Sequence, residues 1–175
     1  MTGEYGLKFQ DRSKYDRDRM EPHSLDWDIQ PSVYKEYPDV PETKLSPPAF
    51  PAATDLKEVI FRRRSVRTFS KKPVTLPQLS TMLWASAGIT KRTENFEYRA
   101  APSAGALYPI ETYLVANNVE GLEPGLYHYP VRKHVLQQLR KGDLGKAAAA
   151  AALDQDIAAR AAVDFVWTAV FQRSA

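Results

Sequence analysis

The sequence has no cysteine among its 175 residues. This excludes disulfides, thiolate-held iron–sulfur clusters, Cys-containing zinc sites and thiol catalysis. It also lacks a G-x-G-x-x-G dinucleotide fingerprint and a Walker A sequence. No apolar run is long enough to span a bilayer. The first twenty residues contain four acidic side chains and no apolar core, unlike a secretory signal. We therefore expect a soluble, cytoplasmic protein.

Histidine is scarce, and its spacing points to no metal centre. His23, His128 and His134 are far apart and form no motif such as H-E-x-x-H. His128, between aromatic residues in "GLYHY", is more typical of a strand than of a catalytic base. A Ser/His/Asp set is defined in space rather than in sequence, so the catalytic residues remain unknown.

The charge balance is mildly basic, with a net charge of +3 and a pI of about 9.0. This fits an anionic small molecule as well as a nucleic acid. Nucleic-acid binding would require a wider basic stripe with aromatic side chains facing the strand. We therefore expect no nucleic-acid partner.

Residues 1–53 are predicted to form a proline-rich, extended N-terminal arm. Seven of the 13 prolines lie in this stretch, and proline at this density blocks regular structure. Scattered tyrosines and Trp27 argue against plain disorder, which tends to lack aromatic residues. We expect the arm to lie on a folded body, either its own or that of a partner subunit.

Residues 54–175 are predicted to form an α+β body. A first helix is expected to begin at Thr54 or Asp55, with an apolar stripe of Leu56, Val59 and Ile60. A second is expected to run from Thr75 to a stop at Gly88. The Ala-rich stretch near residues 147–152 favours helix, and strands are expected over "IETYLVANN", "GLYHY" and "HVLQQL".

The last apolar stretch, "VDFVWTAVF" at residues 163–171, is predicted to be a strand. Its nearly continuous apolarity is typical of a strand buried on both faces of a sheet. Trp167 is therefore predicted to lie in the core, as is Trp84 of the second helix.

Two motifs could bind a ligand. "RRRSVRTF" carries Arg63, Arg64, Ser65 and Arg67, which together could grip a phosphate, although a solvated basic face is the alternative. "PSAGALYP", residues 102–109, is a small-residue loop that would let a ligand approach the backbone, or it is an ordinary tight loop before a strand. Glu111 could orient this loop or simply be solvated.

Together these motifs resemble the nitroreductase-like flavoproteins, in which an RRS-x-R-x-F element is followed by PSAGALYP-x-E, here about 35 residues later. The form is similar to the SagB/ThcOx branch, the azoline dehydrogenases of thiazole/oxazole-modified peptide biosynthesis. The wider family carries an Asn-x-Gln-Pro pattern where this chain has "ALYP". The N-terminal arm also resembles the lead-in of that branch.

The resemblance implies an α+β fold with a central mixed sheet flanked by helices, and a homodimer with FMN between the subunits. It implies an FMN-dependent oxidoreductase that transfers hydride through the flavin, acting on a small molecule or a modified peptide. It assigns the FMN phosphate and ribityl chain to Arg63, Arg64, Ser65 and Arg67. It assigns the flavin ring to Pro102, Ser103, Ala104, Gly105 and Ala106, with Leu107 and Tyr108 beside it.

Relatives continue well past a segment like "TAVFQRSA" into a further part of the FMN site. The resemblance therefore implies that this chain corresponds to the first two-thirds of the domain, with the C-terminal third missing. The alternative function is a catalytically incomplete fragment, or a non-catalytic partner or binding subunit that retains half of the fold.

Overall fold

The computed structural model describes residues 3–14, 29–50 and 55–174. These residues divide into two units, 1–30 and 31–175, which are described separately. Three residues named above lie outside the described ranges, and their predictions remain untested: His23, Trp27 and Thr54.

The first unit contains one described helix, α1 (Gly3–Ser13), in a stretch that was predicted to lack regular structure. That prediction is wrong here for a simple reason. The first proline of the chain is Pro22, so every residue of α1 keeps its backbone donor. The hydroxyl of Ser13 donates to the carbonyl of Phe9 at 2.8 Å near the helix end. The boundary of the arm at residue 53 remains a prediction.

The second unit is α+β, as predicted. Two short 3-10 turns, Ala104–Ala106 and Phe171–Arg173, complete its described elements. None of the described helices is long and apolar enough to cross a membrane. The other elements are, in chain order, β1 (Glu42–Lys44), α2 (Leu56–Arg62), β2 (Val74–Thr75), α3 (Leu76–Ala87), β3 (Ile89–Arg92), β4 (Glu97–Arg99), β5 (Ile110–Ala116), β6 (Val119–Glu120), β7 (Gly125–His128), β8 (Val135–Lys141), α4 (Gly145–Ala151), α5 (Asp156–Arg160) and β9 (Val163–Ala169).

A five-stranded sheet in the order β1-β8-β7-β5-β9 forms the centre of this unit. All four neighbouring pairs in it are antiparallel, and the predicted strands β7 and β8 pair with each other as a hairpin. The short strands β2 and β6 pair in parallel, and β3 and β4 form an antiparallel hairpin. Strand β1 belongs to the proline-rich segment, so residues 42–44 add an edge to the central sheet.

Helix α3 begins and ends where the sequence predicts. The Thr75 hydroxyl accepts from the Gln78 backbone, and the Gln78 side chain accepts from the Thr75 backbone, which makes a reciprocal capping box. The helix stops at Gly88, whose N–H donates to the Trp84 carbonyl at 2.7 Å. A Cβ at Gly88 would lie 2.4 Å from the Trp84 ring, so this position requires glycine.

The core lies between α3 and one face of the central sheet. Leu79 and Leu83 of α3 are fully buried against sheet residues such as Leu114, Tyr127 and Leu136. Full burial of one such leucine contributes about 1.5–3 kcal/mol. Helix α3 is therefore the element that anchors the segments on either side of it to the sheet.

The prediction that β9 and Trp167 are buried is wrong. Strand β9 exists, but it is an edge strand, and Trp167 is 62% exposed. Helix α2 begins after its Asp55 cap as predicted, yet its apolar stripe is exposed. Apolar side chains are buried only where another element covers them, and among the described residues nothing covers these two faces.

Candidate functional site

The predicted ligand loop lies between β4 and β5 and is closed on itself by two hydrogen bonds. The backbone N–H of Tyr108 donates to Oγ of Ser103 at 2.9 Å. The Tyr108 hydroxyl in turn accepts from the backbone N–H of Arg99, at the end of β4, at 3.1 Å. The Tyr108 end of the loop is therefore tied both to Ser103 and to the end of β4.

Three residues of this loop have left-handed backbone conformations. Gly105 has φ 62°, Ala106 has φ 54° and Tyr108 has φ 42°. Such angles are unfavourable for residues with a side chain and persist where the surroundings impose them. The buried ring of Tyr108 and its two hydrogen bonds supply that constraint. Strained backbone of this kind is concentrated at ligand sites.

Two cavities lie against the loop. The Trp167 cavity, of about 460 Å³, is lined by Ala87, Arg99, Pro102, Ser103, Tyr108 and Trp167. The Tyr98 cavity, of about 490 Å³, is lined by Phe96, Tyr98 and Arg99 together with Pro102, Ser103 and Tyr108. Because four residues line both cavities, the loop and Arg99 form a shared wall. Each volume is within the range usual for small-molecule sites.

The structure brings most of the predicted loop residues to these cavities. Five of the seven line at least one of them, whereas Ala104 and Leu107 line neither: the five are Pro102, Ser103, Gly105, Ala106 and Tyr108. A loop of small residues next to a cavity leaves backbone donors within reach of a ligand.

The arginine segment, residues 63–67, follows α2 and is exposed along its whole length. Arg64 donates to the carbonyls of Phe61 and Arg63, both at 2.8 Å, so its guanidinium caps the end of its own helix. Arg63 and Arg67 form no ion pair with any described residue. Their charges are available to an anion.

Within one chain the arginine segment and the loop are not joined. Among the described residues, no hydrogen bond or ion pair connects residues 63–67 with residues 102–108. Neither loop cavity is lined by a residue of the arginine segment. The two predicted ligand-binding segments are therefore separate within one chain.

A buried charged network contacts the Tyr108 end of the loop. One oxygen of Glu111 accepts from Nε2 of His128 at 2.9 Å, and the other lies 2.6 Å from Nη1 of Arg173. Glu111 is 5% exposed and Arg173 is 2% exposed. Arg173 Nη1 also donates to the Tyr108 carbonyl at 2.8 Å. Glu111 therefore orients the arginine that holds the end of the loop.

The pKa of Glu111 reflects these contacts. Burial by itself raises it, but the hydrogen bond from His128 and the pairing with Arg173 outweigh burial and hold the pKa below its ordinary range. The carboxylate is therefore ionised at neutral pH. Since Glu111 and His128 are buried in the sheet, we assign them a structural role beneath the loop. His128 is a strand residue, as predicted.

Arg99 is the site residue that sequence reasoning missed. It is 9% exposed, lines both cavities, and donates from Nη2 to the Val33 carbonyl at 2.8 Å. The available signal was its position three residues before Pro102, at the end of a strand entering the loop. Among the described residues, no group of three potential metal ligands lies together.

The chain is similar in sequence and in fold to known proteins. The family described as "Nitroreductase family" matches residues 60–175. A protein of Methanocaldococcus jannaschii that carries the nitroreductase name is 33% identical over 139 residues, covering 79% of this chain and 63% of its own length. A crystal structure from Anabaena variabilis that carries the same name has a TM-score of 0.68 and 30% identity, covering 96% of this chain and 32% of that chain.

A third relative is the trifolitoxin-processing protein TfxB of Rhizobium leguminosarum bv. trifolii. It is 28% identical over 145 residues, which cover 76% of this chain and 38% of TfxB. The chain thus spans less than two thirds of the length of each of these three relatives. Because the family match covers more than half of the chain and includes both predicted motifs, the chain belongs to the nitroreductase family and has its fold.

Proposed function

We propose that this chain provides the FMN-binding part of an oxidoreductase of the SagB/ThcOx type. The observation that carries the proposal is the strained small-residue loop, which stands between two cavities of ligand size. Membership of the nitroreductase family supports a flavin-dependent oxidoreductase. When bound, the flavin would supply hydride transfer to or from a substrate.

The residues present fit the cofactor. Arg63, Arg67 and Ser65 offer exposed charge and a hydroxyl suited to a phosphate monoester. Arg64 is a weaker phosphate ligand than its neighbours because its guanidinium already donates to two carbonyls. The loop residues that line the Tyr98 cavity would contact the flavin ring, and Arg173 would keep the Tyr108 end of the loop in place.

We further propose that the active form is a homodimer with FMN at its interface. The arginine segment and the loop are separate within one chain, and an FMN molecule must contact both. The exposed apolar face of α2, which includes Leu56, Ile60 and Phe61, lies directly before the arginine segment. Burial of that face by a second copy would bring the arginine segment and the loop together. It would also remove the apolar surface of α2 from contact with water.

The substrate is proposed to be a small molecule or a modified peptide. The "ALYP" ending of the loop and the likeness to TfxB support the SagB/ThcOx branch over the wider family. A non-catalytic partner subunit is the alternative function. It predicts that the chain binds no flavin, alone or with FMN added.

The experiment compares the affinities of FMN and riboflavin, which differ only in the phosphate. We expect the wild-type chain to bind FMN more tightly, and the variant Arg63→Met/Arg67→Met to lose that preference. Each lost charge-assisted contact should weaken FMN binding roughly tenfold to a hundredfold. Flavin fluorescence quenching measures both affinities.

Arg62→Met is the matched control. Arg62 is adjacent to the segment and exposed, and it pairs with Glu58 at 3.2 Å within its own helix. Its loss should leave the preference for FMN unchanged. Equal affinity for FMN and riboflavin in the wild type, or an unchanged preference in the double variant, would overturn the assignment of the arginine segment to the phosphate.

A further inference from the structure

Arg99 carries a buried positive charge that no described carboxylate neutralises. Its side chain lies at the shared wall of the two loop cavities. One nitrogen, Nη2, donates to the Val33 carbonyl, whereas Nε is buried without a hydrogen-bond partner among the described residues. A buried guanidinium with an unused donor is costly, so such a group usually has a ligand or a counter-charge.

The immediate neighbours of Arg99 are aromatic. The guanidinium carbon lies 4.2 Å from the ring centre of Tyr108 and 5.0 Å from that of Tyr34. Cation–π contacts of this kind hold the guanidinium in place and leave its net charge unbalanced. Arg99 is therefore positioned without being neutralised.

The surrounding charges are also in positive excess. Arg92 and Arg132 both pair with Glu97, at 2.9 Å and 3.1 Å, and the Tyr34 hydroxyl donates to the same carboxylate. Glu111, which lines a small neighbouring pocket with Arg99, is already engaged by Arg173 and His128. Among the described residues, Arg92 and Arg132 thus share the carboxylate of Glu97, and Arg99 forms no ion pair with a carboxylate.

The Trp167 cavity offers Arg99 an environment suited to one kind of ligand. Its other walls are mainly apolar and include Ala87, Pro102, Ile110 and the exposed indole of Trp167. A flat apolar body would fit these walls, and a single anionic group would reach a cation held in low-dielectric surroundings. A neutral apolar ligand would leave Arg99 unsatisfied, and a highly charged one would lose hydration against the apolar walls.

We propose that the Trp167 cavity binds an aromatic carboxylate whose carboxylate group pairs with Arg99. Arg99 would be an anion-recognition residue next to the loop, and this role does not require a bound flavin. Arg99 is a specificity-determining residue in it, because the charge selects the anion while the apolar walls accept the ring.

The test compares 2-naphthoate with 2-naphthamide, which share one ring system and differ in charge. Titration calorimetry on the protein as purified should show that naphthoate binds roughly tenfold or more tightly than the amide. Arg99→Met should abolish the preference, and Arg99→Lys should retain part of it. The matched control Arg92→Met, which removes a charge that pairs with Glu97 outside this cavity, should keep it.

The wild-type comparison alone decides the matter if Arg99→Met does not fold. Equal binding of acid and amide, or equal losses in Arg99→Met and Arg92→Met, would overturn the proposal. Repeating the titration with excess FMN separates it from the proposed function. Displacement of naphthoate by FMN would show that the cavity holds part of the flavin and overturn a separate ligand site. A chain that binds no FMN but prefers naphthoate would refute only the flavin assignment.

Discussion

Removing the charge of Glu111 is the most informative test of the network beneath the loop. Glu111→Gln keeps a hydrogen-bonding group next to His128 but removes the carboxylate charge that lies 2.6 Å from Arg173, which is 2% exposed. Breaking a buried pair by removing one partner costs about 3–5 kcal/mol. For a chain of this length, that corresponds to a fall in Tm of about 6–20 °C.

Thermal unfolding followed by circular dichroism at pH 7 measures this change. The control is Glu123→Gln, because Glu123 pairs with Lys141 at a similar distance of 2.9 Å but both side chains are mostly exposed. Its Tm should remain close to that of the wild type. A double variant, Glu111→Gln/Arg173→Gln, should be more stable than the sum of its single losses predicts, since it removes both members of the pair.

The pH dependence gives a second measurement of the same charge. The folded state holds the pKa of Glu111 below its unfolded value, so the unfolded state binds the proton more readily. The stabilisation is therefore complete at neutral pH and is lost as the pH falls through about 4 and below. The Tm difference between wild type and Glu111→Gln should shrink over that range. A difference of less than about 2 °C at pH 7, or one that does not change with pH, would refute the reasoning.

Two further predictions concern local structure. Thr75→Ala removes the capping box of α3 and should lower the free energy of unfolding by about 0.5–2 kcal/mol, measured by urea denaturation; an unchanged value would show that the cap contributes nothing. Gly125→Ala should lower the free energy of unfolding more, by about 2–3 kcal/mol, because the added Cβ would lie 2.3 Å from the Arg140 carbonyl oxygen. Gly121→Ala is the control: its Cβ would meet no atom within 4 Å, but its φ is 79°, so it reports backbone strain without a steric clash.

The sequence predicts helix ends well where the groups that begin or end the helix are close together in the chain. The reciprocal bonds of Thr75 and Gln78 and the stop at Gly88 depend on residues three or four positions apart. The strands β7 and β8 were predicted over "GLYHY" and "HVLQQL", and they pair across the short connection between them. These features could be predicted because every interacting group lies within one stretch of sequence.

Burial and pairing across the chain could not be predicted in this way. Trp167 is in an apolar run, but its exposure depends on which elements cover β9. Glu111 was equally compatible with a solvated and an orienting role, because its partner Arg173 lies 62 residues later in the chain. The importance of Arg99 depends on the rings of Tyr34 and Tyr108, which come from two other positions in the chain.

The contacts of Arg173 can form only late in synthesis. Its guanidinium donates to the carbonyl of Ser32, 141 residues earlier, and to that of Tyr108, 65 residues earlier. At translation rates of about 5–20 residues per second, roughly 3–13 seconds pass between the addition of Tyr108 and that of Arg173. During this interval the Tyr108 carbonyl and the Glu111 carboxylate of the nascent chain both lack the guanidinium of Arg173. A ligand added to ribosome-bound intermediates should therefore find a competent loop only after residue 173 has emerged from the exit tunnel.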